Sequence, residues 1–368
     1  MHEQRIAYFR NFGEVEAVAS GSPLYRELCR TVIGSTALLN LAFETRHSQP
    51  EANLLFAAVH YLLELHPDHG LADYYKSLGG TKSVDSGTGR AFEHFCSEQS
   101  AAIVQLLHER LVQTNEVRRS ACLLPAFIEV SQDAAGLPLS LIEIGPSAGL
   151  NLMFDRYGYD YGHGVKAGDG ASPVRLECEL RGGMLPPVGA IPPVASRHGI
   201  DLNPLDVRNQ DDVRWLRALI WPEHDDRRAL LDAAVGVVRA EPPELLGGDV
   251  FELLPRLVRG AAAASAVCIV ATFVLNQFSE QMRARLREQV LALSFERDLW
   301  LVVMGYSTFT GVEPAPVGDV HVVLVRIRAG AGETRVIADA NPHGRWLRLR
   351  EREDWAPWVA LSATAAFR

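Results

Sequence analysis

Apolar residues recur three and four positions apart from the start of the chain to about residue 135, the spacing of one buried helix face. Tyr25, Leu28, Cys29 and Val32 make one such stripe. Leu54, Leu55, Ala58, Val59, Leu62 and Leu63 make a second, and Phe92 to Leu111 predicts a third, longer helix. Pro23 and Pro50 stand near helix starts, where a missing N–H costs little, and Pro67 follows a helix ending around Leu65-His66. Gly79 to Gly89 is polar and glycine-rich and reads as a surface loop. Residues 1–135 are expected to form an all-helical N-terminal domain.

The period changes at Leu139. L-S-L-I-E-I is an apolar run broken by Ser140 and Glu143; G-P-S-A-G follows, and then Leu150, Met153 and Phe154 at helical spacing. That order predicts strand, glycine turn, helix. Tyr157 to His198 carries Y-G-Y-D-Y-G-H-G, a strand-like stretch from Val174 to Leu180, and proline pairs, which predicts a β-rich insertion at about 157–198. Short strands are expected to end at Asp201 and Asp249, with further strands at Val267–Leu275 and Leu299–Met304. Helical spacings at Trp215–Val235, Phe251–Val258 and Glu280–Leu293 separate them. Val320–Ile327 and Thr334–Ala338 flank A-G-A-G-E as a hairpin. Such alternation predicts an α/β fold over 136–368, a doubly wound parallel sheet with an antiparallel end.

Composition narrows the function. A net charge of −9 over 368 residues argues against a nucleic-acid partner held by a general basic surface. The five cysteines, Cys29, Cys96, Cys122, Cys178 and Cys268, are scattered and form no C-x-x-C. They read as buried reduced thiols of a cytoplasmic protein, with no zinc site or disulfide framework, and no metal is expected. The N-terminus lacks the apolar core of a signal peptide. The uncharged run Gly260–Phe278 reads as a helix end plus a buried strand, so no membrane partner is expected.

Open parallel sheets bind ligands beyond the carboxyl ends of their strands. The polar residues expected there are Glu143 and the glycine turn, Asp201, Asp249, the Thr272–Gln277 segment and the Gly305–Thr310 loop. A glycine turn at a helix start aims N–H groups at one spot, and acids at strand ends can accept hydrogen bonds from ribose hydroxyls or an adenine amine.

Glu143, Gly145 and Gly149, with Ser147 in place of a middle glycine, resemble the first motif of class I methyltransferases that use S-adenosylmethionine. The resemblance implies a Rossmann-like, methyltransferase-like domain. It also implies cofactor contacts from Glu143, Gly145, Ser147 and Gly149, with Asp201 at the ribose and Asp249 near the adenine; Asn151, on the helix expected after the turn, is a further candidate contact by its position. A-T-F-V-L-N-Q-F follows the fourth strand where an amino-methylating nucleic-acid enzyme would carry N-P-P-Y. The acceptor is therefore expected to be a small molecule.

The whole chain also resembles a bacterial family of unknown function. S-P-L-Y, N-L-L-F-A-A-V-H-Y-L-L, Q-T-N-E-V-x-R, E-I-G-P-S-A-G-L-N-L, G-I-D-L-N-P-L-D and P-H-G-R-W-L carry that resemblance.

Two other readings use the same turn. G-P-S-A-G fits the G-x-S-x-G nucleophile elbow, with Ser147 as nucleophile, His343 as base and Asp319 or Asp339 orienting it. A non-catalytic adenosyl- or nucleotide-binding module is the third. Asn115, Glu116 and His343 are the candidate catalytic residues, and each has a plainer role. Asn115 or Thr114 would cap a helix beside solvated Arg118 and Arg119, and His343 would sit in a structural turn. Asp201 would be a turn residue, Asp249 an N-cap, Asn151 and Asp155 surface residues, and Tyr157, Tyr159 and Tyr161 a packed row. The sequence leaves the oligomeric state open.

Overall fold

The computed structural model describes residues 2–46, 49–185, 191–306 and 320–358. It separates into two compact units, Met1–Thr114 with Arg208–Asp232, and Asn115–Val207 with Ala233–Arg368.

The first unit is helical, as the apolar spacing predicts. Its helices include Pro23–Gly34, Glu51–Leu65, Thr88–Glu98, Ser100–Glu109 and Gln210–Ala218. Ser22 caps the first of these, its hydroxyl accepting the Tyr25 N–H at 3.1 Å. The long helix expected over 92–111 is two helices. Gln99 and Ser100 fall where the stripe needs apolar side chains, and the chain turns at Gln99. Gln210–Ala218, expected with the sheet, completes this core instead: Trp215 is fully buried and donates to the Leu111 carbonyl at 2.9 Å. His60, also buried, bonds the Ala218 carbonyl at 3.2 Å and the Ser77 hydroxyl at 2.7 Å.

The second unit is built on a mostly parallel central sheet. Strands β1 (Leu139–Ile144), β2 (Val194–Asp201), β3 (Glu244–Gly247), β4 (Ala266–Thr272) and β5 (Leu299–Gly305) are parallel and lie in the order β3-β2-β1-β4-β5. Strands β6 (Val320–Arg328), β7 (Ala331–Ala340) and β8 (Trp346–Leu349) extend it as an antiparallel meander beside β5. The sheet is doubly wound: chain order runs outward from β1 in one direction, then returns to its other side.

Side chains alternate between the faces of each strand. Ile142, Ile144, Ile269, Ala271, Leu301 and Val303 share a core with Leu254 and Val258 of the helix Val250–Gly260 and with Leu286 and Val290 of Glu280–Leu293. The helix Arg119–Asp133 packs against β4, β5, β6 and β7. Its last residue, Asp133, accepts the Trp300 indole N–H at 2.8 Å, and Trp300 alternates with Leu299 and Leu301 of that core. This helix, expected with the helical domain, therefore belongs to the sheet unit.

The insertion is β-rich, as expected. Gly158–Asp160 pairs antiparallel with Lys166–Gly168 and parallel with Arg175–Glu177. β2 is longer than the sequence suggests, because polar Ser196, Arg197 and His198 disguise its first half. Ion pairs make those positions tolerable: Arg197 reaches Asp155 at 2.6 Å and Glu241 at 3.1 Å. No helix among the described residues is long and apolar enough to cross a membrane.

Candidate functional site at the carboxyl edge of the sheet

The glycine turn lies where β1 ends between β2 and β4, the point at which the winding direction reverses. In a doubly wound sheet that is the crevice for a ligand. Gly145, Ser147 and Gly149 all have positive φ, at 69°, 56° and 74°. Ser147 thus takes the left-handed backbone that a glycine would adopt without steric cost.

Protein neighbours fill the space that these glycines leave. A Cβ on Gly145 would lie 2.7 Å from Val274 Cγ2, one on Gly149 2.9 Å from Pro243 Cγ, and one on Gly199 2.5 Å from Pro146 Cγ. Several turn amides are also committed. Gly145 N donates to the Ile200 carbonyl at 2.8 Å, Ser147 N to Asp201 Oδ2 at 2.9 Å, Gly149 N to the Pro146 carbonyl at 2.8 Å, and Leu150 N to Asn115 Oδ1 at 3.1 Å. The amide cradle expected of this turn is thus largely satisfied from within the chain.

Asn115 fastens the turn from outside. Its carbonyl oxygen takes the Leu150 N–H, and its amide donates to the Pro146 carbonyl at 3.1 Å. It therefore caps the glycine turn rather than the helix Arg119–Asp133. Arg118 and Arg119, expected in solvent, are buried. Arg119 donates to the Pro342 carbonyl at 2.9 Å, and its guanidinium lies 4.1 Å from the Phe273 ring centroid.

Glu143 is the anomaly. It is buried at 2% exposure, and its Oε2 has no hydrogen-bond partner among the described residues. Loss of hydration pushes its pKa up to about 8, the Asp201 charge adds to the rise, and Arg119 opposes it. The pairing Glu143↔Val270 puts Thr272 on the same face of the sheet, and Thr272 Oγ1 is likewise buried without a partner. Adjacent strands therefore end in two unsatisfied polar atoms. Such atoms cost free energy unless something else meets them.

The other expected residues divide. Glu116 is buried, and its Oε2 lies 3.6 Å from His343 Nδ1, which brings these two candidates together. Gly344, beside His343, packs so closely on Arg118 that a Cβ would meet its carbonyl oxygen at 2.5 Å. Asp201 accepts from Ser147 N and, at 2.9 Å, from Asn203 N, so it is both a turn residue and a brace for the glycine turn. Asn151 and Asp155, expected at the surface, are not there. Asn151 Oδ1 accepts the Ser120 hydroxyl at 2.9 Å, and Asp155 pairs with Arg197. Asp249 is an exposed N-cap whose Oδ1 accepts the Phe251 N–H at 2.8 Å.

Tyr157, Tyr159 and Tyr161 are buried, and their hydroxyls donate to the carbonyls of Leu150, Phe154 and Ala121. The row pins the segment after the turn. For the hydrolase constellation, Asp339 is already committed to His321 at 2.9 Å and to Arg348 and Arg350, each at 2.7 Å. Asp319 and most of the Gly305–Thr310 loop lie outside the described residues.

Phe273 and Tyr306 lie in the Thr272–Gln277 segment and the Gly305–Thr310 loop expected at the sheet edge, though neither residue was named. Phe273 has a φ of 54°, which a bulky residue rarely adopts, and its ring meets Tyr306 edge-on at 5.5 Å. Both line a hollow with Leu275, Asn276, Val303 and Met304 at the ends of β4 and β5. The signal in the sequence was their position, each directly after an apolar strand.

Among known proteins, a family profile described as "Uncharacterized protein conserved in bacteria (DUF2332)" matches residues 7–348. No curated protein and no solved structure matches the chain.

Proposed function

The chain belongs to that bacterial family, and we propose that it is a methyltransferase that uses S-adenosylmethionine and acts on a small molecule. Glu143 carries this reading. A carboxyl group buried at a switch point with an unmet oxygen needs a donor, and the cofactor offers ribose hydroxyls and an ammonium group. The strand order β3-β2-β1-β4-β5 supports it, because it places Glu143, Asp201 and Thr272 at neighbouring strand ends. Asp201 braces the glycine turn through Ser147 N at 2.9 Å, and its carboxylate would face the ribose hydroxyls. When bound, S-adenosylmethionine supplies a methyl group on a cationic sulfur. Arg119, stacked on Phe273, would align the acceptor, and Glu116 with His343 would take its proton. Five buried free thiols support a reducing compartment, the cytoplasm.

Isothermal calorimetry with S-adenosylmethionine and S-adenosylhomocysteine tests the proposal. Binding to the wild type that weakens in Glu143→Ala is expected; no heat at millimolar ligand removes the reading. Binding without turnover across an acceptor screen would leave a non-catalytic adenosyl-binding module. The serine hydrolase has one observation in its favour, the left-handed backbone of Ser147. Fluorophosphonate labelling that disappears in Ser147→Ala would put it first.

A further inference from the structure

The helical unit holds a side-chain cluster with no part in the site above. His94 and Glu98 stand one turn apart on the helix Thr88–Glu98. His69 comes from the loop after Glu51–Leu65. His69 Nε2 lies 3.1 Å from His94 Nδ1 and 3.6 Å from Glu98 Oε2, and His94 Nδ1 lies 3.5 Å from that same oxygen. We propose that His69, His94 and Glu98 form a binding site for zinc or a similar borderline divalent ion.

The separations carry the proposal. Metal–ligand bonds of about 2.0–2.1 Å meeting at the tetrahedral angle set ligand atoms roughly 3.3–3.4 Å apart. The three distances fall on either side of that figure, so the atoms already outline one face of a tetrahedron. Two imidazoles and one carboxylate are a donor set that suits zinc, and they leave the fourth vertex to water or a small ligand. The two imidazoles are stacked at 5.4 Å, and the edge-on ring of Phe95 holds His69 from another side at 4.9 Å. His69 is 17% exposed, His94 65% and Glu98 50%, so an ion reaches the cluster directly from solvent.

Without the ion, the Leu71 N–H donates to His69 Nδ1 at 3.1 Å. That bond places the imidazole proton on Nε2, between the two histidines. The ion replaces this proton, and His69 gives up the Leu71 bond as Nδ1 takes a hydrogen. The site is therefore weaker than a preformed structural zinc centre, in which the second ring nitrogen already donates to an acceptor. Binding ties the loop at His69 to the helix Thr88–Glu98. Scattered cysteines gave no reason to expect a metal, but they say nothing about histidines brought together from two segments.

Calorimetric titration of the full chain with zinc chloride tests the site, followed by cobalt(II) absorption spectroscopy. One ion per chain is expected, with intense visible bands from four-coordinate cobalt. Affinity should fall at least about tenfold in His94→Ala and in Glu98→Gln. His108→Ala, which removes a separate surface histidine paired with Glu44 at 3.3 Å, should change nothing. Melting curves of the metal-free variants check that they fold; should His94→Ala fail to, Glu98→Gln decides. Absence of binding at sub-millimolar zinc, or binding that survives both substitutions, overturns the proposal.

Discussion

Glu143→Gln should stabilise the protein, and by an amount that grows with pH. Burial raises the Glu143 pKa from 4.5 to about 8. Between those values the unfolded chain releases its proton while the folded chain keeps it, so wild-type stability falls as pH rises and levels off above the folded pKa. The span of about 3.5 units corresponds to a ceiling of about 5 kcal/mol at about 1.4 kcal/mol per unit. An interior that responds with an effective dielectric near 20 reduces this to about 1–3 kcal/mol. Glutamine has the same shape and no charge, so it escapes the penalty. The melting temperatures of the two proteins should nearly coincide at pH 4.5 and separate by several degrees at pH 8.5, at about 2–4 °C per kcal/mol. Differential scanning calorimetry across that range reads the gap directly. A gap that stays constant with pH would show that Glu143 ionises freely in the folded state, and would refute the unmet carboxyl. Stabilisation combined with weaker adenosyl binding would mark an acid retained for its ligand at the expense of stability.

Other substitutions probe the surroundings. Asn115→Ala removes both hydrogen bonds that fasten the turn and should cost about 1–3 kcal/mol in urea unfolding; an unchanged midpoint would show that the turn holds its shape unaided. Ser147→Gly relieves a left-handed serine and should gain about 0.5–1 kcal/mol, whereas a loss would mean that the hydroxyl makes a bond worth more than the strain. Burial lowers the His60 pKa from 6.5 to about 4. Its contribution is therefore intact above pH 6.5 and declines as pH falls toward 4, by about 1.4 kcal/mol per unit. The urea midpoint of the wild type should drop between pH 7 and pH 5, and His60→Gln should flatten that drop.

Much of the architecture could be read from periodicity, because burial on one face imposes it. The Glu51–Leu65 stripe, β1 with its glycine turn and the Glu280–Leu293 helix lie where their apolar residues place them, whereas the helix expected after the turn is a 3-10 segment, Leu150–Arg156, kinked at Met153. Errors arose where local pattern and tertiary role diverge. Arg118 and Arg119 read as solvated because arginine usually is, yet the 342–344 turn and Phe273 cover them. Asn115 precedes a helix and looks like its cap, but its partners lie some thirty residues on, in a turn that no local rule connects to it. The glycines were legible as a tight turn. That Val274, Pro243 and Pro146 fill the space beside Gly145, Gly149 and Gly199 was not, because each contact joins segments far apart in sequence. Glu143 stood out as an acid within an apolar strand, and its buried Oε2 has no hydrogen-bond partner among the described residues.

The helical unit borrows Arg208–Asp232 from beyond the second strand of the sheet. During synthesis, His60 and Leu111 emerge long before Ala218 and Trp215, the groups they will bond. The core of this unit cannot be completed until translation has passed Asp232. A protein truncated at Thr114 would inherit the same deficit permanently, exposing apolar surface that invites chaperones or aggregation.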